Sequence, residues 1–222
     1  MIATVSISNT PNHTQTRKLM YREWTRRTGT LSGGAVSDIC VGQDGFFYAT
    51  GVFEGGLDGS SCNGSSDAFL IKYRNDGQKI WTQTLGSPGM EDAFCVEAAP
   101  DGSVYISGLT DGALNGNSAV RNTFLAKYSS EGQNLWVRFI DAPDWSYVHN
   151  LAVSSDGHVY ISGGRNGDIS ISKFQSDGAI SWVRTIGGAD KETGGALALS
   201  GDGSLYVTGG TMGDLDGFAN KN

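Results

Sequence analysis

Cysteine, histidine, positive charge and long apolar runs are all in short supply in this chain. Its three cysteines, Cys40, Cys62 and Cys95, are odd in number and show no CxxC spacing. The sequence therefore carries neither a disulfide framework nor a cysteine zinc site, although two of the three could pair. Its three histidines, His13, His149 and His158, lie far apart at no metal-ligand spacing. Lysine and arginine total 16 against 23 aspartates and glutamates, and the net charge of −7 argues against nucleic-acid binding, which needs clustered cations. No stretch approaches the roughly 18 apolar residues of a membrane helix. The opening MIATVSISNTPNHT has no charged n-region and no continuous apolar run, so no ordinary secretory signal is expected. Walker loops, GxSxG elbows and HExxH pairs are missing as well.

Glycine, by contrast, is abundant. The chain holds 33, about twice the usual share, without the third-position period of collagen, which points to many tight turns. A hydrophobic content of 38%, with five Trp, eight Tyr and nine Phe, can supply the core of a single domain over residues 1–222. Charge is uneven: Arg17, Lys18, Arg22, Arg26 and Arg27 face only Glu23 in the first 30 residues, and the remainder is acidic. A basic strand end against an acidic body accounts for this, with a binding patch as the alternative.

Self-similarity decides the fold. Trp24, Trp81, Trp136 and Trp182 are spaced by 57, 55 and 46 residues. Twenty residues after each stands an Asp-Gly, at Asp44, Asp101, Asp156 and Asp202, and four further on a tyrosine within a YxxG, at Tyr48, Tyr105, Tyr160 and Tyr206. Nine residues before the last three tryptophans stand Lys72, Lys127 and Lys173. Length varies only between the YxxG and the lysine segment. Each repeat reads as four short strands: an alternating one such as DICV, then YxxG, then FLIKY, then the Trp strand. Asp-Gly and Glu-Gly close the hairpins, because glycine, and to a lesser extent aspartate, tolerates positive φ. Four antiparallel strands per unit of about 50 residues predict a β-propeller of four blades. The repeated Trp and Tyr are expected to pack between blades.

The stretch SDAFLIKYRNDGQKIWTQTLGSPGMEDAFCVEAAPDGSVYISGLTDG and its parallels resemble the bacterial SBBP repeats, a β-propeller family frequent in cyanobacteria, over about residues 20–217. The resemblance implies a propeller that is surface-exposed or exported and has no assigned chemistry or cofactor. NDGQKIW is also similar to the tryptophan-docked blades of pyrroloquinoline-quinone dehydrogenases and of the outer-membrane assembly lipoproteins that share their fold. The central calcium and base constellation of those dehydrogenases has no counterpart here.

Candidate binding residues come from where the repeats disagree. The crossovers between blades carry Glu91 and Asp92, then Asp144, Trp145, Tyr147 and His149, then Asp190, Lys191 and Glu192. In a propeller these surround the channel mouth, where aromatics among carboxylates suit a sugar, a peptide or a basic side chain. His149 can face the channel, and His158, after its turn, is expected to face solvent. Asp58, Asn115 and Asp216 occupy equivalent Gly-rich loops that could hold calcium, but Asp or Asn beside Gly is also what a tight turn prefers. The leading functional reading is a non-enzymatic scaffold engaging a protein or glycan. The alternatives are a hydrolase or lyase using carboxylates at the mouth, and an assembly protein closing its ring as a homo-oligomer. The last repeat begins near residue 194 and halts after its second strand. N-terminal strands of about residues 3–9 and 20–28 are expected to complete it, unless a second chain does.

Overall fold

The computed structural model describes residues 3–5, 26–28, 32–116, 122–140 and 145–214, with the backbone alone for 3–5, 26–28, Asn115, Trp145 and Ser146. Among these residues every extended element is a β-strand, and the sole helical turn is a 3-10 turn at Leu114–Gly116. An antiparallel pair, β1 (Ala3–Val5) with β2 (Arg26–Thr28), comes first. The first four-stranded sheet holds β3 (Gly33–Val41), β4 (Phe47–Glu54), β7 (Asp67–Tyr73) and β8 (Lys79–Leu85), and its long loop carries the small hairpin β5 (Gly56–Leu57) and β6 (Ser60–Ser61). The second holds β9 (Glu91–Ala98), β10 (Val104–Thr110), β11 (Asn122–Tyr128) and β12 (Asn134–Ile140). The third holds β13 (Trp145–Val153), β14 (Val159–Arg165), β15 (Asp168–Phe174) and β16 (Ile180–Ile186). A last pair, β17 (Glu192–Leu199) and β18 (Leu205–Thr211), repeats the first two strands of a sheet.

The strand reading therefore holds, and the variable length falls in the loop between second and third strands, as the Trp offsets require. The hairpins differ in detail. At Asp44-Gly45 the amide of Gly45 donates to Gly42 O (2.9 Å) and that of Gly42 to Phe46 O (2.9 Å). Only the glycine takes positive φ, 77° at Gly45 and 81° at Gly102, while each aspartate accepts from the amide two residues on, as Asp101 does from Ser103 (2.9 Å). The aspartate is chosen for that side-chain bond and not for left-handed backbone. The YxxG glycine serves a close approach instead: a Cβ on Gly108 would lie 1.9 Å from Asp92 O, beside the bulge that interrupts β9.

Sheets pack face to face in chain order. Tyr48, Leu70 and Leu85 of the first sheet bury against Val96, Ile106 and Phe124 of the second. Tyr105, Leu125 and Ile140 of the second bury against Val148, Ile161 and Phe174 of the third. Both faces of β7 and β10 are accordingly buried throughout. At the inner strands, the bulges free amides that the preceding sheet captures: Val96 N donates to Asp38 (2.9 Å) and Leu197 N to Asn150 (3.3 Å).

One row of residues ties the first sheet to the second and the second to the third, and recurs in the third. Tyr48, Lys72 and Trp81 are direct cross-strand partners, as are Tyr105, Lys127 and Trp136, and Tyr160, Lys173 and Trp182. Lys72 Nζ (3.1 Å) and Trp81 Nε1 (3.2 Å) both donate to Ser130 O, in the β11–β12 turn of the second sheet. Lys127 Nζ likewise donates to Ser176 O (3.4 Å), in the β15–β16 turn of the third. The repeated aromatics are thus inter-sheet packing, as their recurrence predicts.

Of the completion expected for the last sheet, the structure shows the two N-terminal segments paired with each other. Val5↔Arg26 is the register of Leu70↔Gln83, Leu125↔Arg138 and Ile171↔Arg184, each partner lying two residues beyond its repeat tryptophan. Of the 3–9 and 20–28 expected, residues 6–9 and 20–25 lie outside the described residues, and the described pair forms its own two-stranded sheet instead of joining β18. Trp24 lies outside the described residues.

Candidate functional site

The crossover loops share an anchor that the sequence reading had placed among the ligand contacts. Glu91 is fully buried, and its carboxylate accepts from Ser87 N, Ser87 Oγ and Thr110 Oγ1, each at 2.6 Å. Glu192, buried at the equivalent position, accepts from Gly188 N (3.0 Å) and Thr211 Oγ1 (2.9 Å). These two carboxylates fold the crossover back onto the second strand of the next sheet, and their acceptor sites are taken by that work. Their common offset of ten residues from Trp81 and Trp182 was the available signal.

Asp92 is half-buried and accepts from Ser66 Oγ (3.2 Å). Burial pushes its carboxyl up from the ordinary value, the Ser66 bond opposes this, and the charges of Asp111 and Glu54 add to it. Met90 N donates to Asp111 (2.6 Å), so this acidic corner is also a loop brace.

The exposed candidates gather at the border of the third sheet and β17. Tyr147 is 60% exposed and its ring lies 6.1 Å from that of His149, which is exposed beside it. A Cβ on Gly194 of β17 would sit 3.4 Å from His149 Cδ2, so the histidine leans across to the neighbouring inner strand. Lys191 and Asp190 are exposed just before β17, and Lys191 packs its stem by Gly167 in the β14–β15 turn. The backbone of Trp145 pairs with Arg165 at the mouth of that same turn. The fold thus brings Tyr147 and His149 together, with Trp145 and Lys191 at the same end of the sheet. Asp144 and the side chain of Trp145 lie outside the described residues.

His158 is not a free surface histidine, since its Nδ1 stands 2.8 Å from Asp156 and its side chain is half-buried. Asp58 has φ 51° in the β5–β6 turn, and its carboxylate meets Lys79 Nζ and Thr82 Oγ1 at 2.5 Å. Burial pushes that carboxyl up, but the Thr82 and Lys79 contacts outweigh it and hold it below its usual range. A lysine ammonium already neutralises this calcium candidate. Asp216 and the Asn115 side chain fall outside the described residues, and no cluster of three or more His, Cys, Asp or Glu placed to hold a metal occurs among those described. Cys40, Cys62 and Cys95 are free thiols. Among the described residues no helix is long and apolar enough to cross a membrane.

No family model matches the chain. Over 157 residues it is 28% identical to the regulatory protein FlaEY of Caulobacter vibrioides, a match covering 64% of this chain and 16% of that protein.

Proposed function

We propose that the sheets are blades of a β-propeller of the SBBP-repeat kind, closed when β1 and β2 complete the sheet begun by β17 and β18, and that it works as a binding scaffold. Register supports the closure: mapped through the repeats, Val5 falls opposite Thr208, as Leu70 does opposite Thr50. Burial supports it too. Tyr206 is 62% exposed, whereas the equivalent Tyr48 and Tyr105, each beside the lysine and tryptophan of its own sheet's outer strands, are buried.

The observation that carries the binding reading is a division of labour. In the first two junctions the Tyr–Lys–Trp residues repeated from sheet to sheet are consumed in packing, whereas Tyr147, His149, Asp190 and Lys191 break the pattern and stay exposed at one rim. An aromatic ring flanked by an imidazole, a carboxylate and an ammonium suits a glycan or a peptide, offering a stacking face and both hydrogen-bonding senses. The carboxylate-enzyme alternative loses Glu91 and Glu192, which are buried and already hydrogen-bonded. Replacing Tyr147, His149 and Lys191 together by alanine should abolish capture of a partner from lysate or medium while the fold persists. Unchanged capture would remove this rim from consideration.

A further inference from the structure

The Tyr–Lys–Trp row is a socket with a defined occupant. In the first junction it takes the Ser130-Glu131-Gly132 turn: the serine carbonyl receives Lys72 and Trp81, and a Cβ on Gly132 would lie 3.0 Å from Trp81 Cδ2. In the second it takes Ser176-Asp177-Gly178. There Ser176 O receives Lys127, Asp177 O receives Arg138 Nη2 (3.4 Å), and a Cβ on Gly178 would sit 3.2 Å from Trp136 Cη2. Glycine is required because the turn lies flat on the indole. Ser130 and Ser129 hold the Glu131 carboxyl below its usual range, with the charge of Lys72 adding to this, and the Asp177 carboxylate accepts from Ala179 N (2.9 Å).

The third sheet repeats the socket residue for residue. Tyr160 and Trp182 meet edge to face at 6.2 Å, Lys173 Nζ lies 5.3 Å over Tyr160, and Arg184 lies 4.9 Å over Trp182, as Arg138 lies 5.3 Å over Trp136. Its surroundings differ in two ways. Asp44 and Asp101 pair with Lys72 and Lys127, whereas Asp156 is taken by His158, so among the described residues Lys173 makes no ion pair. No turn among those residues covers it either: neither Lys173 nor Trp182 has among them a serine carbonyl like the one that receives Lys72 and Trp81.

The connection between β1 and β2 is a poor fit for this place. It has 20 residues between Val5 and Arg26 where each complete sheet has 12 between the equivalent partners, as between Leu125 and Arg138. It contains no acid–glycine pair, and Arg17, Lys18 and Arg22 outnumber Glu23 in it. Its charge repeats that of the socket.

We propose that the Tyr160–Lys173–Trp182–Arg184 socket is a docking site for a hairpin turn of the Ser-(Asp/Glu)-Gly type on a partner protein. The partner's serine carbonyl meets Lys173 and the Trp182 indole N–H, its glycine lies on the indole, and its acid faces the two cations. The inference concerns the socket alone; if β1 and β2 close the ring, their connection takes the place that the β11–β12 turn has in the first junction, and the partner's turn must displace it.

A cyclised hairpin peptide copying Tyr128 to Asn134 of this chain is the probe, titrated into the full chain while the Trp182 indole N–H is followed by NMR, its signal assigned from W182F. A saturable shift is expected, at least tenfold weaker in R184E and absent for a control peptide with Lys-Ala in place of Glu-Gly. An indole signal that stays fixed at millimolar peptide, or that moves equally with the control peptide, overturns the proposal.

Discussion

Trp81 donates its indole N–H across a sheet boundary to the carbonyl of Ser130, 49 residues further on (3.2 Å). The bond joins the outermost strand of one sheet to the turn of the next. It explains why the tryptophan, the lysine nine residues before it and the acid–glycine turn travel together through the sequence: they form one joint, split between two repeats.

Gly132→Ala isolates that joint when set beside Gly203→Ala. Both glycines have left-handed backbone, φ 87° and 84°, so the strain of adding a methyl is shared. A Cβ on Gly132 meets Trp81, while one on Gly203 meets nothing within 4 Å. Denaturant unfolding should show G132A the less stable of the two by about 1–3 kcal/mol, the usual cost of overpacking. Equal losses would mean that the turn does not bear on the indole.

Glu91→Ala should destabilise by about 3 kcal/mol, because three donors at 2.6 Å lose their buried acceptor. Thr110→Val, which removes one of those donors, should cost about 1 kcal/mol. Both are read from denaturant midpoints. A near-neutral E91A would return Glu91 to the solvent-facing rim.

Glu97 gives the pH dependence. Burial, helped by the nearby charge of Asp38, raises its carboxyl from 4.5 to about 7. The folded chain therefore holds this proton over a range where the unfolded chain has released it, and the protonated carboxyl favours folding below pH 4.5. That advantage is lost as pH rises from 4.5 to 7, so stability falls across this window. The group is partly solvated, which limits the effect to about 1–2 kcal/mol. Glu97→Gln should flatten the change between pH 5 and 8 in thermal melts; a variant that keeps the wild-type slope would assign it elsewhere.

Tyr147→Ala and His149→Ala should leave the melting temperature almost unchanged, within about 0.5 kcal/mol, since both side chains are exposed. Glu192→Ala, at the residue immediately after the exposed Lys191, should behave like E91A. This contrast, read by calorimetry, separates rim residues that face outward from those that hold the rim.

Much of this could be read in advance. Fixed offsets from tryptophan gave the strands, the turns and the Tyr–Lys–Trp row, because packing between identical neighbours demands identical residues. Glu91 and Glu192 escaped that logic: the equivalent positions in the other two repeats are Gly34 and Ser146, so the pair looked like loop drift. Their burial follows from a loop turning back on a neighbouring strand, which no local pattern encodes. The pairing of Asp156 with His158 was hidden similarly, since His158 stands where other sheets have Phe46 and Ser103 and so releases Lys173 from its usual partner.

The central claim is that β1 lies along β18. Mapped through the repeats, the proposed closure would set Val5 opposite Thr208, so V5C with T208C should oxidise to a disulfide, cross-strand Cβ atoms lying about 4.5–5.5 Å apart. Non-reducing mass spectrometry of peptides from dilute, monomeric protein should show the two introduced thiols joined within one chain. A cross-link found only in covalent dimers, or no cross-link at all, would contradict closure of the ring by the chain's own N-terminal strands.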